Sequence, residues 1–144
     1  MAEMSSKTVT IEAPASDVAA TLADLESFPK WSSAIKQVEV HERDGSGRPT
    51  SATVKIEAGV LKDRAKLIYD YSAFPNSISF TLEEADLMTE MTGSYSIKDG
   101  GESCDVTYSL NVQVSMPVPD MMRRKAEMAT IEAALSQLKQ KLEG

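Results

Sequence analysis

The chain is predicted to fold as an α+β protein in which a curved antiparallel sheet is covered on one face by a long C-terminal helix. Two adjoining segments carry that prediction. Cys104, Val106, Tyr108, Leu110, Val112, Val114 and Met116 alternate with Asp105, Thr107, Ser109, Asn111, Gln113 and Ser115, the period-two pattern of a strand with one buried face. Beyond Pro117 and Pro119, Met121, Met128, Ile131, Leu135, Leu138 and Leu142 recur at helical spacing, so a helix with an apolar stripe follows the strand directly. Each element needs a dry partner, and each is the nearest available to the other. A helix laid across a curved sheet in this way tends to leave a pocket between them.

The preceding elements fit the same plan. Val9 and Ile11 alternate with Thr8 and Thr10 in a first strand, Lys7 to Glu12. Pro14 opens a helix, where its missing N–H is no loss, and Val18, Leu22 and Leu25 form one stripe. Pro29 predicts extended geometry at Phe28, so this helix breaks there and restarts briefly before Ile35. Strands then follow one another. Val38 and Val40 mark one, ended by Asp44-Gly45-Ser46-Gly47; Ala52, Val54, Ile56 and Ala58 mark the next, with Gly59 at the junction. Ala65, Leu67, Tyr69 and Tyr71 share a face of the fourth strand, Ile78, Phe80 and Leu82 of the fifth, and Met91, Gly93, Tyr95 and Ile97 of the sixth, before Asp99-Gly100-Gly101 turns the chain into the last. Short turns between consecutive strands favour an antiparallel meander covered on one side. The final helix, about 24 residues, would span roughly 36 Å and cross the whole sheet.

Composition narrows the function classes. The 144 residues suit one domain, 1–144, with a core that needs no staples. Acidic residues outnumber basic ones, 22 to 15, for a formal charge of −7, which repels a phosphate backbone and argues against nucleic acid as partner. The basic run Arg123-Arg124-Lys125 reads as a solvated helix face. Cys104 is the single cysteine, a count that fits a reducing compartment. The first residues lack the apolar core of a signal peptide, and no run approaches the roughly 20 apolar residues of a spanning helix. A soluble cytoplasmic protein without membrane insertion is expected.

Taken together, Val-Thr-Ile-Glu-Ala-Pro-Ala (9 to 15), Ala-Asp-Leu-Glu-Ser-Phe-Pro-Lys-Trp (23 to 31), Met-Pro-Val-Pro (116 to 119) and the final helix resemble the polyketide cyclase/dehydrase and lipid-transport group of the START-like (SRPBCC) superfamily, over nearly the whole chain. The resemblance implies a helix-grip fold: a seven-stranded antiparallel sheet curled around the C-terminal helix, two short helices between the first and second strands, and a deep hydrophobic cavity. The group includes proteins that only bind ligands beside its cyclases, and a shared fold does not decide between them.

The residues point to binding before catalysis. His41, the only histidine, has the parity of Gln37 and Glu39 and belongs on the outer face; Cys104 has apolar parity and no histidine partner. No metal cluster and no phosphate-cradling glycine loop occurs, so neither a metal nor a nucleotide cofactor is indicated. Tyr69, Tyr71, Tyr95 and Tyr108 sit on inner parities, where a phenol offers an apolar body and one hydroxyl, either for a ligand or for a neighbour. With them, Val54, Ile56, Leu67, Phe80, Met91, Met121 and Met128 are the expected lining, the thioethers serving an adaptable pocket or a filled core. Trp31, beside Phe28, is either an aromatic lid or a pin between the broken helix and the sheet. Asp63 shares the inner parity of Ala65 and Leu67 and is the one candidate acid or base, unless it is simply solvated at the strand end. The expected function is binding of a small hydrophobic or lipid-like molecule; a cyclase or dehydratase in the same cavity, and an interaction module with its cavity filled, are the alternatives.

Overall fold

The computed structural model describes residues 4–58 and 61–143; the Gly59 junction lies outside them. Seven strands form one antiparallel sheet in the order β1-β7-β6-β5-β4-β3-β2. These are β1 (Ser5–Ile11), β2 (Ile35–Arg43), β3 (Pro49–Ala58), β4 (Leu61–Asp70), β5 (Ser77–Ala85), β6 (Met88–Asp99) and β7 (Cys104–Val114). Helices α1 (Ala15–Ala23) and α2 (Phe28–Trp31), with a 3-10 turn at Leu25–Ser27, connect β1 to β2, and α3 (Asp120–Glu143) closes the chain. This is the helix-grip architecture. Register shifts within β2–β3, β4–β5 and β6–β7 bend the strands, and such bulges are how a sheet curls.

Alternation carries through to burial. Along β6, Met88, Met91, Gly93, Tyr95 and Ile97 are the buried positions, and along β7 Cys104, Val106, Tyr108 and Leu110, joined from the other parity by Asn111, which Arg123 of α3 covers. On α3 the fully buried apolar residues are Ile131, Leu135 and Leu138. The helix packs against β1 and β7, whereas α1 rests on β5 and β6 and α2 on β2. Because α3 leans to the β1–β7 side, the inner faces of β3, β4 and β5 are bridged rather than filled.

Two local expectations are corrected. The helical connection breaks at Asp24 (φ −89°, ψ 75°), and Phe28 is helical (φ −51°, ψ −42°) although Pro29 follows it. Pro29 occupies the first turn of α2, where no N–H is needed, and packing of Phe28 on Trp31, ring centroids 4.6 Å apart, outweighs the preference for extended geometry. The basic run is not a uniformly solvated face. The Arg123 side chain is 10% exposed and pairs with Glu127 at 3.0 Å, itself 2% exposed.

Both ends of α3 are tied down by polar contacts. Near its start, Glu127 accepts hydrogen bonds from Ser5 Oγ (2.8 Å) and from the Val112 backbone N–H (2.6 Å). The physical cause is the end of β1: the pairing of β1 with β7 stops at Ser5 and Leu110, so the next outward N–H of β7 needs another acceptor. Near its end, Lys139 Nζ donates to the Thr10 carbonyl (2.7 Å), and the Glu12 N–H donates to Glu143 (2.8 Å). That donor and the Lys139 ammonium hold the Glu143 carboxyl below its usual range.

Candidate functional site

The space between the sheet, α1–α2 and α3 contains a cavity of about 80 Å³, which widens to about 770 Å³ of atom-free space when its solvent-facing mouth is counted. One water-sized sphere occupies roughly 10–15 Å³ on the first measure, so the inner chamber has room for several. Its floor is the inner face of the strands: Val54 and Ile56 from β3, Leu67 and Tyr69 from β4, Ile78 and Phe80 from β5, Met91 and Tyr95 from β6, and Tyr108 from β7. Leu22, Leu25 and Phe28 form the lid side, and Thr130 and Ala134 the α3 side. The half-exposed lining residues Phe28, Ala34, Ile35 and Val38 on one rim and Thr130 and Ala134 on the other frame the mouth.

Three phenols supply most of the polarity. Tyr95 and Tyr108 are register partners across β6–β7, with rings stacked at 4.2 Å and 14°. Tyr69 lies two strands away, its ring 5.6 Å from that of Phe80. Burial pushes all three phenols well above the ordinary value, and for Tyr69 and Tyr95 the field of the neighbouring phenols pushes further in the same direction. They are therefore neutral hydroxyls at physiological pH, able to donate and accept hydrogen bonds and unable to serve as bases. Among the described lining residues none is Asp, Glu, Lys, Arg, His or Cys.

Of the residues anticipated from the sequence, Val54, Ile56, Leu67, Tyr69, Phe80, Met91, Tyr95 and Tyr108 come together in this cavity. Four do not. Tyr71 lies just beyond β4, its ring 6.5 Å from that of Tyr69 but outside the lining, and the Arg48 guanidinium lies over both its ring (5.1 Å) and that of Phe74 (4.5 Å), which meet edge to face. Burial and the Asp44 carboxylate push its phenol up to about 12. Met121 is 83% exposed and Met128, half-buried, is outside the lining. The reason is helical phase: at 3.6 residues per turn, Met121 and Met128 lie about 80° and 60° to one side of Ile131, whereas the lining residues Thr130 and Ala134 lie on its other side, together with Arg123 and Glu127. Met116 and Met122 are likewise exposed, at 60% and 62%. Trp31 backs Phe28 from outside the lining, its Nε1 buried without a partner, so Phe28 is the cavity-facing ring of the pair.

Asp63 sits apart from the phenols. It lines a separate surface depression with Gln37, Lys55 and Asp86, adjoining the cavity only at Ile56. Its Oδ1 accepts from the backbone N–H groups of Arg64 (2.7 Å), Asp86 (3.0 Å) and Leu87 (3.2 Å), and Oδ2 from those of Leu87 (3.2 Å) and Met88 (2.9 Å). The carboxylate thus organises the β5–β6 turn. His41 is exposed and bonded through Nε2 to Thr53 Oγ1 (2.6 Å). Cys104 is buried, and burial followed by the charges of Asp105 and Asp99 pushes its thiol up, away from the reactive thiolate. Among the described residues no group of three His, Cys, Asp or Glu could hold a metal ion, and no helix is long and apolar enough to cross a membrane.

Thr130 and Ala134 escaped the sequence reading. They lie one position before the buried Ile131 and Leu135, and their signal is their small size at i, i+4 beside the apolar stripe: large side chains there would occupy the chamber.

Solved structures share this arrangement. A START superfamily protein from Mycobacterium smegmatis is 29% identical and superimposes with a TM-score of 0.92, covering 99% of this chain and 98% of its own. The Zhui aromatase/cyclase from Streptomyces is 17% identical (TM-score 0.75; 97% and 93% covered), and a major latex-like protein from Panax ginseng 13% identical (TM-score 0.74; 99% and 100% covered); at these identities the likeness concerns the fold. No curated protein matches the sequence. The sequence profile described as polyketide cyclase / dehydrase and lipid transport matches residues 3–143, and with the curled sheet gripping α3 over an apolar chamber, the chain belongs to that START-like family.

Proposed function

We propose that the protein binds a small, slender, uncharged apolar molecule that carries at least one hydroxyl or carbonyl oxygen. The observation that carries this reading is the lining: aliphatic and aromatic surface with three neutral phenols, the small hydroxyls of Ser32 and Thr130 and, among the described residues, no group that is charged at pH 7. Apolar burial supplies the driving force, about 25 cal/mol per Å² removed from water, less the cost of immobilising the ligand. A buried carboxylate, phosphate or ammonium would find no counter-charge there. The phenols orient the oxygen.

The same lining weighs against the cyclase alternative. Proton transfer needs a group of suitable pKa within reach of the reacting atom; Asp63 is saturated by amides outside the chamber, and the phenols hold their protons. Native mass spectrometry of protein purified from its own host tests the proposal. A co-purifying neutral, oxygen-bearing molecule lost from a Tyr95→Phe, Tyr108→Phe variant is the expected result. Multiple turnovers of a polyketide substrate that stop in that variant while the substrate stays bound would replace binding with catalysis.

A further inference from the structure

We propose that Gly93 is the specificity-determining position of the chamber, because its missing side chain lets the Phe80 ring lie flat on the sheet and so sets the size of ligand admitted. The inference rests on the ligand-binding reading above. Gly93 is buried at an inner position of β6 between Met91 and Tyr95, facing Phe80 of β5 on one side and Leu110 of β7 on the other. Among the described glycines it alone lies inside a strand, and its φ is not positive, unlike those of Gly47 and Gly101. No backbone strain therefore calls for glycine here. Glycine in a strand interior weakens it unless something must approach the backbone closely.

Phe80 is that something. A Cβ at position 93 would lie 2.3 Å from Phe80 Cζ, 2.8 Å from Cε1 and 2.9 Å from Cε2, against roughly 3.5–4.0 Å for carbon atoms in contact. The end of the ring thus covers the Gly93 backbone, while the Tyr69 ring, 5.6 Å away, flanks it. The inner Cβ of a strand points towards the interior, so any side chain at 93 drives the ring off the sheet and into the 80 Å³ chamber that Phe80 itself lines. A floor made of a recumbent ring is deeper than one made of an upright ring. Filling of a bare strand glycine by an aromatic neighbour is also a way to stabilise a sheet; the two roles separate on ligand selectivity, which sheet stabilisation alone leaves untouched.

The experiment uses the neutral fluorophore N-phenylnaphthylamine, displaced by straight-chain alcohols from hexanol to dodecanol, on the full chain and on Gly93→Ala, Phe80→Leu and the double variant, with circular dichroism to establish folding. Gly93→Ala is expected to weaken binding of the longest alcohol that the parent takes by about tenfold or more, and the shortest by less. Phe80→Leu is expected to shift preference to longer chains, and the double variant to return towards the parent ranking. A folded Gly93→Ala protein with the parent ranking would overturn the proposal. Should that variant fail to fold, an unaltered ranking in Phe80→Leu overturns it equally. A folded parent that takes up neither fluorophore nor alcohol sinks the binding reading itself, an outcome distinct from uptake with unaltered ranking.

Discussion

Arg123 and Glu127, one turn apart on α3, form an ion pair at 3.0 Å with side chains only 10% and 2% exposed. Arg123 also reaches Asn111 Oδ1 at 3.3 Å, so the pair joins the start of α3 to β7, and Ser5 joins it to β1. Breaking a buried pair from one side leaves the other charge uncompensated. Glu127→Ala is expected to cost about 3–5 kcal/mol, and Glu127→Gln less because its carbonyl oxygen can still accept from Val112. Urea denaturation measures both. A loss below about 0.5 kcal/mol for Glu127→Ala, the range of ordinary surface changes, would show that the network does not anchor the helix.

Asp63→Asn should act on stability and leave ligand binding to the folded protein intact. The amide nitrogen would face backbone donors where a carboxylate oxygen now accepts, and hydrogen bonds to a charged group are worth about 1.5–3 kcal/mol each. Denaturation midpoints and fluorophore titration separate the two effects. Lost binding in a variant of parental stability would return Asp63 to the site.

The buried phenols predict alkaline sensitivity. Tyr69, Tyr95 and Tyr108 all stand above the ordinary phenol value of 10.0 in the folded state. A raised folded pKa stabilises fully below the unfolded value and loses that contribution as pH rises above it, because the unfolded chain then releases protons that the folded one keeps. Unfolding midpoints should therefore be insensitive to these groups near neutrality and fall as pH climbs past about 10. The fall should be smaller in Tyr95→Phe, Tyr108→Phe. An equal fall in parent and variant would refute this origin.

Leu135 is fully buried beneath the sheet. Leu135→Ala is expected to cost about 2–5 kcal/mol by thermal or urea unfolding, through lost transfer energy and the void left behind. Survival of the parental midpoint would place the stripe of α3 elsewhere.

The mouth has a clasp. Ser33 N–H donates to Gln137 Oε1 (2.9 Å), and Gln137 Nε2 donates to Ser33 Oγ (2.8 Å), joining the α2–β2 loop to α3 beside the rim residues Ala34 and Ala134. Neutral hydrogen bonds contribute about 0.5–1.5 kcal/mol each, so Gln137→Ala should speed release of bound fluorophore by about threefold or more. Stopped-flow dilution reads this rate directly, and unchanged release would mean that the mouth opens without parting these residues.

Much of the fold was legible because strand alternation and helical recurrence are local consequences of where apolar side chains can hide. Tyr69, Tyr95 and Tyr108 could be assigned inward from parity alone. Tyr71 obeys the same parity, yet β4 ends at Asp70, and contacts with Arg48 and Phe74 hold its ring just outside the lining, behind that of Tyr69. Met121 parts from the cavity for a similar reason. The first turns of α3 carry apolar and charged residues that could each face inward, and what decides is a β7 N–H left unpaired where β1 stops.

The seven strands, the closing helix, the shared apolar face and the family resemblance can all be read along the chain, since each is written in residues close in sequence. The rotation of α3, the placing of Thr130 and Ala134 at its cavity flank, the amide cradle around Asp63 and the Phe80 ring lying over Gly93 emerge only in three dimensions. Those features arise where strands and helices remote in sequence must satisfy one another's unpaired backbone groups and share one volume. Both conditions are set by contact in space, and periodicity along the chain carries no record of them.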